Sequence, residues 1–183
     1  FGGQTAINLA DPLRRAGMPI IGSDADTIAT AEDRHLFERF LAELGIPQPP
    51  GAAVLTLEEA LKTAQTIGYP VLVRPSFVLG GRAMEVVQNP TELAQFAAQA
   101  FEAAQGKPVL IDKFLEGREV EVDAICDGEQ VLIPGIMEHI ERAGVHSGDS
   151  MAVYPPRNLD AEEREVIRDY TERIVLGLRA IGL

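Results

Sequence analysis

The 183-residue chain carries one cysteine, Cys126, and a lone thiol cannot close an internal disulfide. It therefore reads as a chain of a reducing compartment, with the cytoplasm as the expected location. Cys126 falls in an alternating apolar run and reads as a small core residue. Basic charge is also scarce: 16 lysines and arginines stand against 28 acids, a formal net charge of −12. A general nucleic-acid surface needs a basic face, so no nucleic-acid partner is expected. No apolar stretch reaches the roughly 18 residues of a membrane span, and no signal peptide is visible, so no membrane partner is expected either. Internal repeats and low-complexity tracts are absent.

Apolar residues make up 46% of the chain and charged residues 24%, as in an ordinary globular protein of one domain or two small ones. An acidic chain can still hold a polyphosphate where its cations converge, and Arg34, Arg74, Arg82, Lys113 and Arg142 make convergence feasible. The segment from Arg74 to Glu85 reads R-P-S-F-V-L-G-G-R-A-M-E. It follows an apolar run, Tyr69 to Val73, that reads as a buried strand with Arg74 at its end. Gly80 and Gly81 permit close approach of backbone to a ligand, and the flanking arginines suit a phosphate chain. The plainer alternative is a tight hairpin with surface arginines.

The pattern predicts a glycine turn at 1–5 leading into a helix over 6–16, a strand over 18–21, a short helix within 23–29 and a stronger helix over 32–44. Pro47, Pro49, Pro50 and Gly51 read as a linker. Thr56-Leu57-Glu58-Glu59 is a capping box opening a helix to Ile67, closed by Gly68. A return strand over 83–87 follows the glycine loop. Asn89-Pro90-Thr91-Glu92 opens the next helix, and 109–113 is a strand. Residues 119–127 alternate, Asp127-Gly128 signals a hairpin, and 130–140 is the return strand. Asp160 caps a final helix with Ile167, Tyr170, Ile174, Leu178 and Ile181 on one face. The order predicts an α+β fold in which an antiparallel sheet carries helices on one face.

Five strings occur in order: F-G-G-Q-T at 1–5, A-E-D-R at 31–34, V-R-P-S-F-V-L-G-G-R-A-M at 73–84, E-V-D-A-I-C-D-G at 121–128 and M-E-H-I-E-R-A-G-V-H-S-G-D-S at 137–150. Together they resemble the large subunit of carbamoyl phosphate synthetase over nearly the whole chain, and more narrowly the ATP-grasp unit of its carboxy-terminal half. The related amino-terminal half usually carries a G-G-S-G-G-type loop where this chain has Gly80-Gly81-Arg82-Ala83-Met84. The resemblance implies a partial ATP-grasp α+β fold, with antiparallel sheets and flanking helices. Its expected divisions are the tail of a preceding α/β domain at 1–22, a helical linker region at 23–68, the small lobe at 69–136 and the start of the large lobe at 137–183. The chain opens in the middle of a motif, so a segment of something longer is expected.

The same resemblance implies an ATP-dependent ligase making carbamoyl phosphate from bicarbonate, ammonia drawn from glutamine, and two ATP. This half would phosphorylate carbamate, in the service of pyrimidine and arginine biosynthesis. The implied partners are ATP, carbamate, a glutaminase small subunit and the other half of the large subunit. Magnesium or manganese is implied as well, with ligands expected downstream of Leu183, so no metal-binding residue is assigned here.

By resemblance Arg34 reaches the nucleotide phosphates; the plainer reading is an i,i+4 pair with Glu38. Arg74 contacts the α- and β-phosphates, against the alternative of a structural salt bridge. Gly80 and Gly81 belong to the loop over the phosphates, and Arg82 touches the γ-phosphate or carbamate, so Arg74 and Arg82 are the catalytic candidates. Lys113 and the Leu115 backbone line the adenine pocket at a hinge. Glu119 accepts from the ribose hydroxyls, with Glu121 and Asp123 pointing the same way and readable as solvent-facing acids. Gly144, Val145, His146 and Ser147 form the far wall. Glu138 and Glu141 flank that wall without being assigned as ligands. No nucleophile is required, because phosphoryl transfer to an oxyanion rests on positioning and charge neutralisation. Another ATP-grasp carboxylate ligase, a non-catalytic nucleotide-binding module and a nucleotide-free scaffold remain the alternatives.

Overall fold

Short helices stand near the start of the chain, those after the first opened by side-chain caps. In this computed structural model, residues 6–75, 84–143 and 150–182 are described. Helix α1 spans Ala10–Arg15, α2 spans Ala25–Glu32 and α3 spans Arg34–Glu43. Asp24 caps α2 by accepting from Thr27 N at 2.7 Å, and that bond holds its carboxyl below the usual carboxylate range. The expected single helix from Glu32 is broken: Asp33 adopts an extended backbone and caps α3 through Leu36 N at 2.9 Å. The expected strand over 18–21 does not form. Gly17 and Gly22 hold positive φ on either side of it, Ile21 is fully exposed, and Met18 N is spent on Leu13 O at the helix end.

The chain divides into two compact units. One comprises residues 1–48, 119–140 and 151–183, the other 49–118 and 141–150. Gly51, read as the end of a linker, instead opens strand β1 (Gly51–Val54), because this backbone finds a partner in β4.

The second unit is built on a sheet ordered β1-β4-β2-β3 with every neighbour antiparallel, β2 being Val71–Pro75, β3 Glu85–Val87 and β4 Val109–Lys113. Helices α4 (Leu57–Ile67) and α5 (Pro90–Ala104) cover one face. Both begin as their capping sequences predict: Thr56 and Glu59 form a full capping box, and Asn89 caps a helix with Pro90 in its first turn. Alanines make the close approach feasible. Ala60, Ala64, Ala97 and Ala100 are fully buried against Val71, Val73, Val109, Ile111 and Leu93.

The other unit holds α1–α3 and a sheet ordered β5-β6-β7, with β5 Val120–Cys126, β6 Val131–His139 and β7 Ala152–Val153. Cys126 is buried in β5, as its alternating run suggested. Helix α6 (Ala161–Gly177) lies against β5 and β6, opened by a capping box of Asp160 and Glu163. It ends at Gly177, so Leu178 and Ile181 lie beyond it, contrary to the expected stripe. Tyr154 lies so close over Gly135 that any side chain there would collide with the ring. No described helix is long and apolar enough to cross a membrane.

Thr56→Ala removes a cap from the helix that buries Ala60 and Ala64. It should cost about 1 kcal/mol of stability in urea denaturation with an unchanged slope.

Candidate functional site

Strand alternation decides which side chains of the second unit face the helices and which face away. Val71, Val73 and Ile111 point into the α4–α5 core, so Leu72, Arg74, Leu110 and Asp112 point to the opposite face. On that face Arg74 pairs across from Leu110, two residues from Asp112. Arg74 Nε donates to Asp112 Oδ2 at 3.3 Å, long for a charge-assisted bond. The carboxylate is the buried partner, its side chain 9% exposed against 40% for the arginine. Asp112 thus anchors one edge of the guanidinium while much of the rest of Arg74 reaches solvent.

Gly51 stands directly across from Asp112 on the other neighbouring strand. A Cβ at that position would lie 2.1 Å from Asp112 Oδ1 and 2.7 Å from Ile111 O. The glycine therefore makes room for the carboxylate that holds Arg74. Neither Gly51 nor Asp112 stood out as a site residue in the sequence. The signal that could have found them is a carboxylate ending an otherwise apolar strand, Val109-Leu110-Ile111-Asp112, where a buried acid needs a cationic partner.

Lys113 sits one residue further along β4 and so faces the other way. Its Nζ donates to Gly68 O at 3.1 Å and Tyr69 O at 2.8 Å. A cation at the C-terminal end of α4 is favoured by the helix dipole. Nearby, the Tyr69 hydroxyl is shielded without a hydrogen-bond partner, and burial raises its pKa. Leu115, just past β4, is half exposed.

In the other unit, Arg34 is the first residue of α3, and its Nε meets Glu38 Oε1 at 2.5 Å. The i,i+4 pair is therefore present. A guanidinium in the first turn runs against the helix dipole, so helix stability alone does not favour its placement. Glu119 precedes β5 and accepts from His139 N at 2.9 Å through its carbonyl. Glu121 and Asp123 are exposed, on the face that strand alternation gives to Glu119.

Glu138 is buried, and its carboxylate accepts from Arg157 N at 2.8 Å, Asn158 N at 2.9 Å and Asn158 Nδ2 at 2.8 Å. It ties β6 to the loop before α6. Glu141 accepts from Ser150 Oγ at 2.8 Å. Gly80, Gly81 and Arg82, and likewise Gly144, Val145, His146 and Ser147, lie outside the described residues. Among the described residues no cluster of three His, Cys, Asp or Glu could hold a metal ion.

Residues 33–182 match the family described as carbamoyl-phosphate synthase L chain, ATP binding domain. The chain belongs to that family. It is 65% identical over its whole length to the carbamoyl phosphate synthase large chain of Thermomicrobium roseum, spanning 17% of that protein. Among solved structures it resembles D-alanyl-alanine synthetase A of Vibrio cholerae, with a TM-score of 0.78 at 18% identity over 98% of this chain and 57% of that one. It also resembles biotin carboxylase of Campylobacter jejuni, with a TM-score of 0.79 at 21% identity over 96% of this chain and 41% of that one. These likenesses establish the ATP-grasp fold, in part, as an α+β arrangement of antiparallel sheets and helices.

If Asp112 holds Arg74, the Arg74→Ala, Asp112→Ala double-mutant cycle should return a favourable coupling of roughly 1 kcal/mol in chemical denaturation. Additivity within error would show that the two side chains do not support one another.

Proposed function

We propose that this chain is the ATP-binding part of a carbamoyl phosphate synthase large chain, from the half that phosphorylates carbamate. The observation that carries the reading is Arg74, fixed through Nε to a buried carboxylate at the end of a strand and solvent-reaching beyond it. A side chain held this way meets a phosphate chain with little further loss of freedom. The family match and the 65% identity give that arrangement its chemical context.

In this reading the γ-phosphoryl group of ATP passes to a carbamate oxygen, leaving ADP and carbamoyl phosphate. Arg74 holds the α- and β-phosphates. Arg34 reaches the phosphates by exchanging or sharing its bond to Glu38. The glycine pair Gly80-Gly81 covers the phosphates with backbone N–H donors, and Arg82 neutralises charge at the γ-phosphate or carbamate. Lys113 and the Leu115 backbone border adenine. Glu119 receives the ribose hydroxyls, and residues 144–147 close the far wall. Residues 1–22 are the end of a preceding α/β domain. Magnesium or manganese would supply charge neutralisation at the phosphates. The described residues of this chain offer no cluster to hold it.

The full-length protein would work with a glutaminase subunit and a second, related half of the large chain. It would supply pyrimidine and arginine biosynthesis in the cytoplasm. The likeness to D-alanyl-alanine synthetase and biotin carboxylase reflects shared fold at low identity and does not redirect the substrate.

Arg74→Ala in the full-length protein should lower carbamate-dependent phosphoryl transfer at least tenfold, since one charge-assisted contact is worth roughly 1.5–3 kcal/mol. An unchanged rate would remove Arg74 from the site.

A further inference from the structure

Glu119 does not stand alone on its strand face. His139 N donates to Glu119 O at 2.9 Å, which places His139 directly across from Glu119 at the end of the β5–β6 ladder. Directly opposed residues of an antiparallel pair project to the same face. Glu121, two residues on from Glu119, shares that face and is the diagonal neighbour of His139. The imidazole is nearly enclosed, its side chain 3% exposed, whereas Glu121 is 44% exposed. His139 Nε2 lies 3.2 Å from Glu121 Oε1, in ion-pairing range though out of line for a straight hydrogen bond.

A buried imidazole sits beside the Glu121 carboxylate at this strand end, and histidine is costly to enclose without polar company. The arrangement gives it such company from the acidic face. Glu119 is tied to the same strand end through its backbone bond to His139 N, and strand pairing sets its side chain on the face that carries the imidazole. Glu121, read from the sequence as solvent-facing, is thereby drawn into the same group.

We propose that His139 and Glu121 form a positioning pair that sets the orientation of Glu119 toward the ribose of the bound nucleotide. The inference rests on the reading of Glu119 as the ribose acceptor. Neither His139 nor Glu121 touches the reacting phosphoryl group. Their effect falls on how well the site distinguishes a ribose with its hydroxyls from one lacking them. A displacement of Glu119 by a fraction of an ångström lengthens a charge-assisted bond that accounts for that preference.

The test uses the full-length protein and compares ATP with 2′-deoxy-ATP by kcat/KM in Glu119→Gln, Glu121→Gln and His139→Asn variants, alongside thermal melting. The expected result is a wild-type preference for ATP that falls at least fivefold in Glu119→Gln and in one or both of the other two. It should fall through KM for ATP, with kcat changed less than twofold. Loss of preference in Glu119→Gln alone would overturn the positioning pair and leave Glu119 in its place. Undiminished preference in Glu119→Gln would overturn the ribose assignment and the pair with it. If His139→Asn fails to fold, Glu121→Gln decides, since an exposed glutamate replaced by its isostere leaves the core intact.

Discussion

A buried carboxylate on the sheet face opposite α4 and α5 is the constraint on which the candidate site depends. Asp112 lies on β4, between β1 and β2, and each neighbouring strand answers it. β2 supplies the guanidinium of Arg74, and β1 supplies Gly51, whose missing side chain leaves space for the carboxylate oxygen. An enclosed charge without such a partner would be strongly unfavourable, and a side chain at Gly51 would displace it. The pair is modest as a source of stability, being long and open to water on the arginine side. Its importance is geometric, because it fixes the direction in which a long, flexible cation leaves the sheet.

The opposite face of the same sheet supplies rigidity. Small residues on α4 and α5 bring the helices close enough to bury Val71, Val73 and Ile111 among apolar side chains. The strands that carry Arg74 and Asp112 are therefore backed by a core that cannot shift locally without opening a cavity. Lys113, adjacent to Asp112 but on the helix side, closes the end of α4 through two backbone carbonyls. One strand thus has two consecutive charged residues with different partners, separated by the pleat. In the other unit, Glu138 likewise spends a buried charge on backbone donors and fixes the approach to α6.

Local signals in the sequence carried most of the elements. Capping residues at Thr56, Asn89 and Asp160 act through bonds within one turn, so they mark helix starts without tertiary context. The alternation of 120–126 and the turn at Asp127-Gly128 likewise marked the β5–β6 hairpin. What was not legible depends on distant partners. Gly51 looks like the end of a linker until β4 lies beside its strand, and Met18–Ile21 looks like a strand although no described residue pairs with it. The break at Asp33 was hidden because an acid near a helix start reads equally well inside the first turn. For the candidate site, Arg74 and Glu119 stand within motifs, whereas their neighbours Asp112, Gly51 and His139 come beside them through cross-strand register that one sequence does not display.

The most direct measurement is a crystal structure of the full-length protein with a non-hydrolysable ATP analogue. Arg74 Nε should still be bonded to Asp112 while its terminal nitrogens lie within hydrogen-bond distance of the α- or β-phosphate oxygens. A bound nucleotide whose phosphates are reached by other cations, with Arg74 turned away from them, would contradict that arrangement.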